Sequence, residues 1–181
     1  MLRKLLILSL VLALTAPVAL LRAEKAERGF SLSPSQEWIE LPLPYQGVVI
    51  SYGKKGTLAT FHVTERDLEG AKSVEQLKWE DLFSPEFRSI DIRQENVTTL
   101  AGEKAKFCIY TLKPGEFKDT MEGKLPGKYI NYVLVHQGKL FSITFKDTED
   151  GFSLSYPSFL AAIRTLRFDN IPEPQTQRKK I

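Results

Sequence analysis

Few residues in this chain have the type and spacing to do chemistry. His62 and His136 are its two histidines and Cys108 is its single cysteine. Each histidine sits in an alternating, strand-like run, with no Cys, Asp or Glu at ligand spacing beside it, which favours a structural imidazole. Metal binding would depend on the fold bringing the two strands into one sheet. Cys108 can form no intrachain disulfide, and in the alternating run Lys104–Lys113 it reads as a small buried hydrophobe. Asp147-Thr148-Glu149-Asp150-Gly151 gathers three carboxylates, the hard-oxygen chemistry of calcium, but without EF-hand spacing. Acidic residues are also at home near a helix start, where the macrodipole favours them. There is no Gly-x-Ser-x-Gly elbow, Gly-rich phosphate loop or His-Glu-x-x-His pair. Asn96-Val97-Thr98 is a glycosylation sequon, relevant only in a eukaryotic source. The expectation is a non-enzymatic protein with no catalytic residue, cofactor or metal. An enzyme would need a site assembled by folding, in a deep pocket joining His62 or His136 to a carboxylate.

The elements that must position these residues follow a distinctive leader. Arg3 and Lys4 precede Leu5 to Leu21, which carry no charge, and Ala19 and Ala23 offer small residues for cleavage. Residues 1–23 therefore read as a secretory signal peptide. An uncleaved anchor is the rival reading; the apolar stretch is short for a span and Pro17 interrupts it. Both place the domain outside the cytoplasm, periplasmic or secreted. Removing Arg3, Lys4 and Arg22 with the leader leaves 22 basic against 22 acidic residues. That balance gives no electrostatic footprint for nucleic acid.

Residues 24–28 form a polar lead-in, 29–168 a single domain and 169–181 a flexible basic tail. Gly29–Ser33 and Glu37–Leu43 alternate in hydrophobicity, and Pro34, Pro42 and Pro44 mark them as edge strands or strand ends. Gly53-Lys54-Lys55-Gly56 joins Gln46–Tyr52 to Thr57–Glu65 as a hairpin. Ser73-Val74-Glu75-Gln76 matches a capping box, and the spacing predicts a helix through Leu77, Trp79 and Leu82. Ile90–Leu100 turns at Ala101-Gly102-Glu103 into Lys104–Lys113, apolar on both faces as in a central strand. Tyr129–Gln137 and Lys139–Lys146 form a last hairpin. After an acidic loop, a helix starting near Pro157 presents Phe159, Ala162, Ile163 and Leu166 as one stripe, and Thr165–Phe168 closes the domain.

This element order, with pieces such as Gly138-Lys139-Leu140-Phe141-Ser142-Ile143-Thr144-Phe145 and the run Phe159–Phe168, resembles the PsbP/Mog-like fold family, bacterial exported PsbP-like and DcrB-type domains included. The resemblance covers roughly residues 29–168. It implies an α+β fold: a central antiparallel sheet of about six or more strands with helices packed on both faces. It also implies binding and assembly rather than catalysis, and no functional residue of the family maps here by motif.

The expected function is thus an exported accessory protein of the cell envelope or lumen, acting through contacts with a protein partner or membrane complex. The aperiodic segment Lys113–Lys128 and the edge segment Phe30–Pro44 are the expected contact surfaces. The candidate partner-binding residues are Phe117, Met121, Leu125, Tyr129, Tyr132 and Phe141. A second expectation is a chaperone-like domain shielding hydrophobic segments or lipid in a groove lined by Tyr110, Tyr132 and Phe141, which allows peripheral membrane contact. The sequence leaves the oligomeric state open.

Overall fold

Period-two alternation builds a seven-stranded antiparallel sheet in the computed structural model, which describes residues 29–68, 70, 73–83, 89–113 and 127–169. Its strands are β2 (Trp38–Glu40), β3 (Val48–Lys54), β4 (Thr60–Asp67), β5 (Ile90–Leu100), β6 (Glu103–Leu112), β7 (Gly127–His136) and β8 (Lys139–Thr148), in the order β2-β3-β4-β8-β7-β6-β5. They belong to one unit, Leu32–Leu166. A separate two-stranded ribbon pairs β1 (Phe30–Ser31) with β9 (Arg167–Phe168), and the Asp169 N–H donates to the Gly29 carbonyl at 3.0 Å. The leader, the lead-in and the tail beyond Asp169 lie outside the described residues.

The register assigns every central side chain to a face. Phe61 pairs with Phe145, Ile143 with Tyr132, and Phe107 with Tyr132, so these point to one side. Helix α2 (Glu149–Ile163) covers that side. Phe159 stacks on Phe145 with centroids 4.6 Å apart and lies 5.5 Å from Phe61, while Phe152 is 5.2 Å from Phe145. The expected stripe Phe159, Ala162, Ile163 and Leu166 is buried throughout. Phe159, Ile163 and Leu166 each contribute about 1.5–3 kcal/mol by leaving water.

Two departures from the sequence expectation have physical causes. The helix begins eight residues earlier than Pro157, because the acidic segment is its cap. Thr148 Oγ1 accepts from the Gly151 N–H at 3.0 Å, and Glu149 and Asp150 occupy the first turn, where the dipole favours them. A side chain at residue 151 would meet Thr148 Oγ1 at 2.7 Å and Asp147 Oδ2 at 2.8 Å, so this cap requires glycine. Pro157 sits inside the helix on its exposed side, where water can replace the lost backbone partner. The capping-box segment, in turn, forms a 3-10 turn (Val74–Gln76) followed by a separate five-residue helix α1 (Trp79–Phe83). Gln76 Oε1 does accept from the Ser73 N–H at 3.1 Å. A helical layer on both faces is therefore more than the described residues carry: opposite α2 there are only these two short elements. They close part of that face through Val74, Trp79, Ile90, Cys108, Tyr110, Val133 and Leu140. Trp79 Nε1 donates to Glu95 at 2.7 Å, and the Lys106 ammonium lies 4.3 Å above the indole.

The turns Ala101-Gly102 and Gln137-Gly138 hold φ of 54° and 85°, and of 48° and 75°. Left-handed conformation at both positions matches the twist of the flanking strands and favours Asn-Gly. Replacing the exposed Gln137 by Asn should therefore stabilise the protein by about 0.5–1 kcal/mol. The check is a higher urea midpoint with unchanged slope.

Candidate binding groove

Among the described residues, the face opposite α2 is only half closed. Beside the apolar cluster, the same-phase residues of four strands line a groove of about 610 Å³. Strand β4 contributes His62, Thr64 and Arg66; β8 contributes Leu140, Ser142, Thr144 and Lys146; β7 contributes Tyr129 and Asn131; β6 contributes Tyr110 and Leu112. Leu82 and Phe83 of α1 form one wall, and Tyr45-Gln46-Gly47, ahead of β3, forms the other.

The floor is polar at its centre. His62 stands opposite Thr144, Thr64 opposite Ser142, and Asn131 opposite Thr144 on the other side. The Ser142 hydroxyl donates to Asn131 Oδ1 at 2.7 Å, which sets the amide orientation and leaves its NH₂ as donor. Asn131 is only 4% exposed, so this amide is a buried polar group at the floor. His62 Nε2 and the Tyr45 hydroxyl are 2.7 Å apart, with the rings edge to face. Tyr45 itself is 55% exposed, so its ring forms the rim over this floor.

The other end is aromatic. Tyr110 stacks on Tyr129 with centroids 5.0 Å apart, and Phe83 lies 5.0 Å from Tyr110. Burial raises the Tyr110 phenol above its ordinary range and keeps it neutral. Cys108, beneath this end, is fully buried, and desolvation pushes its thiol from 9.0 up to about 12. A thiol so held is a poor nucleophile.

The sequence-expected residues separate. Tyr129 lines the groove, whereas Tyr132 and Phe141 are buried on the α2 face, and the Tyr132 hydroxyl is 3.1 Å from that of Tyr156. Tyr110, Tyr132 and Phe141 therefore do not line one groove, because Tyr132 has the opposite strand phase to Tyr129 and Asn131. Phe117, Met121 and Leu125 lie outside the described residues, as does the segment 114–126. His62 and His136 do share the sheet but face opposite sides; His136 Nδ1 lies 2.7 Å from Glu103 Oε1, away from the groove. Among the described residues no three His, Cys, Asp or Glu side chains gather as a metal cluster. Asn131, Ser142 and Thr144 were missed as site residues. Their signal was present: polar side chains on one phase of strands whose other phase is apolar.

Solved structures with this arrangement decide the fold. Cyanobacterial PsbP (CyanoP) from Synechocystis sp. PCC 6803 superposes with a TM-score of 0.56 at 14% identity, covering 78% of this chain and 87% of that one. The Saccharomyces cerevisiae Ran-binding protein Mog1p gives 0.53 at 10% identity, covering 77% and 90%. LpqN of Mycobacterium tuberculosis, described as involved in cell envelope biogenesis, gives 0.50 at 14% identity, covering 76% and 82%. The chain has the PsbP/Mog1-like fold. No protein-family model and no curated protein matches the sequence. At these identities the likeness concerns the architecture, and the side chains of the groove must be read for themselves.

The buried thiol gives a direct check on the closed part of this PsbP/Mog1-like sheet face. Native Cys108 should resist a thiol reagent at pH 8 and react stoichiometrically in denaturant. Its folded value lies above the unfolded one, so the stability it contributes is intact below pH 9 and is lost as pH rises from there towards 12. Unfolding titrations across that window should show the decline, and a Cys108→Ala variant should show less of it.

Proposed function

We propose that this chain is an exported, non-enzymatic binding protein of the cell envelope or lumen, which receives its partner on the open half of the sheet. The observation that carries this reading is the groove itself: a four-strand floor with a polar centre, an aromatic end and an exposed tyrosine rim. A sheet face that served only the core would be apolar and dry. Export is supported by the charged start and uncharged run of the leader, and by likeness in fold to LpqN, a protein of envelope biogenesis. The non-enzymatic reading is supported by the inert thiol and by the distance of the His136–Glu103 pair from the groove.

A second reading, a chaperone-like domain that shields hydrophobic segments or lipid, is favoured by the groove's apolar end at Leu82, Phe83, Tyr110 and Leu112. It uses the same face.

Site-specific photocrosslinking in the native host separates the open face from the rest of the surface. A photoreactive residue at Gln46, on the groove rim, should give one dominant adduct. The same residue at Leu154, 78% exposed on α2, should give none. Adducts from Leu154 alone would place the partner on the helix and defeat the proposal.

A further inference from the structure

The seven-stranded sheet ends in two unlike edges. β2 is three residues long and lies between Pro34 and Pro42, whereas β5 runs eleven residues from Ile90 to Leu100. Among the described residues β5 pairs only with β6, and Arg93 to Val97 and Thr99 are exposed. Edge strands are ordinarily blunted by brevity, proline, lysine or a bulge. β2 is short and flanked by proline. β5 has a bulge at Arg93, where the register shifts between Ile92 and Gln94, and no proline or lysine from there to Leu100.

The direction of each backbone group on that regular stretch follows from the hairpin. The two-residue turn Ala101-Gly102 makes Leu100 and Glu103 a hydrogen-bonded pair, so Leu100, Thr98, Asn96 and Gln94 turn their N–H and C=O groups towards β6. Glu95, Val97 and Thr99 turn theirs outward. Val97 agrees: its N–H donates to the neighbouring side chain, Asn96 Oδ1, at 2.8 Å. The carboxylate of the stretch, Glu95, is drawn aside by Trp79, whose Nε1 donates to Oε2 at 2.7 Å.

We propose that β5 is the contact of a homodimer, in which a second copy of this chain adds its own β5 antiparallel about a two-fold axis at Val97. In that register Val97 meets Val97, and Glu95 meets Thr99 on either side, so every outward N–H and C=O from Glu95 to Thr99 is paired. The two valines, each 51% exposed in the single chain, cover one another, and no like charges oppose. An axis at Glu95 would set two carboxylates face to face, and one at Thr99 would set Glu95 against Glu103. An axis at Asn96 or Thr98 would leave an outward residue against the bulge or the turn. The symmetry of the stretch about Val97 is what selects a second copy over a foreign strand. The Asn96 amide occupies the Val97 N–H in the single chain and releases it on pairing. None of Glu95, Val97 and Thr99 lines the groove, so this contact and the binding face stand or fall separately.

The test is disulfide mapping of full-length chains in the native host, treated with a mild oxidant. Val97→Cys should crosslink to itself, because hydrogen-bonded partners have Cα atoms about 5.5 Å apart. Glu95→Cys and Thr99→Cys should each fail alone and crosslink to one another when the two chains are coexpressed. Leu154→Cys, exposed on α2, should stay monomeric, and the buried Cys108 takes no part. In sedimentation of the purified chain, Asn96→Ala should tighten the dimer about tenfold by freeing the Val97 N–H. Val97→Lys, which opposes two ammonium groups on the axis, should weaken it by at least about tenfold. Both replacements change exposed side chains and leave the pairing with β6 in place. Absence of a Val97 crosslink, equal crosslinking at Leu154, self-crosslinking at Glu95 or a Val97 adduct to a different protein would each overturn the assignment. So would a wild-type chain that stays monomeric as its concentration is raised.

Discussion

The arrangement of β4, β8 and β7 depends on one constraint: successive side chains of a strand must point to opposite faces. Phe61 and His62, Ile143 and Thr144, and Ile130 and Asn131 are neighbours in sequence and belong to different environments. The first of each pair is sealed under Phe152 and Phe159 of α2, and the second lies on the open floor. A slip of one residue in any of these pairings would bury His62 or Asn131 against phenylalanines and expose the core. The register is thus fixed by the phenylalanine face, and the groove inherits its precision from a core on the other side of the sheet.

The closed face also explains how a polar floor is tolerated. Asn131, at 4% exposure, has its carbonyl oxygen satisfied by Ser142 across the β7–β8 pair, so its burial does not leave that acceptor stranded. Next to it Cys108 and Val133 belong to the apolar cluster beneath Val74 and Trp79. The transition from dry to polar occurs within one row of side chains. Trp79 marks that boundary: Glu95 holds its indole nitrogen and Lys106 lies over its ring, which anchors the short α1 without a long helical stripe.

Much of the fold was legible because its signals are local. The turns at Ala101-Gly102 and Gln137-Gly138, the two-faced strand around Cys108 and the stripe from Phe159 to Leu166 each declare themselves within a dozen residues. The start of α2 was misread because Pro157 suits a first helical turn, whereas Thr148 and Gly151 cap the helix through a contact that only geometry reveals. The helix expected after Ser73 breaks near Leu77, whose carbonyl is taken by the Lys106 side chain from another strand. The groove was the least legible part. His62, Asn131 and Ser142 are each unremarkable alone, and become a site only when β4, β8 and β7 are laid side by side. Tyr132 and Phe141, expected at a partner-binding surface, have the strand phase that faces α2 and lie in the core.

The central claim is that this sheet has one sealed face and one open one, divided residue by residue along β8. Thiol accessibility of single variants Ile143→Cys and Thr144→Cys, read peptide by peptide by mass spectrometry on folded protein, tests it most directly. The account predicts rapid labelling at position 144 and labelling at position 143 only on unfolding. Equal rates at the two positions, or protection at 144 with reaction at 143, would contradict it.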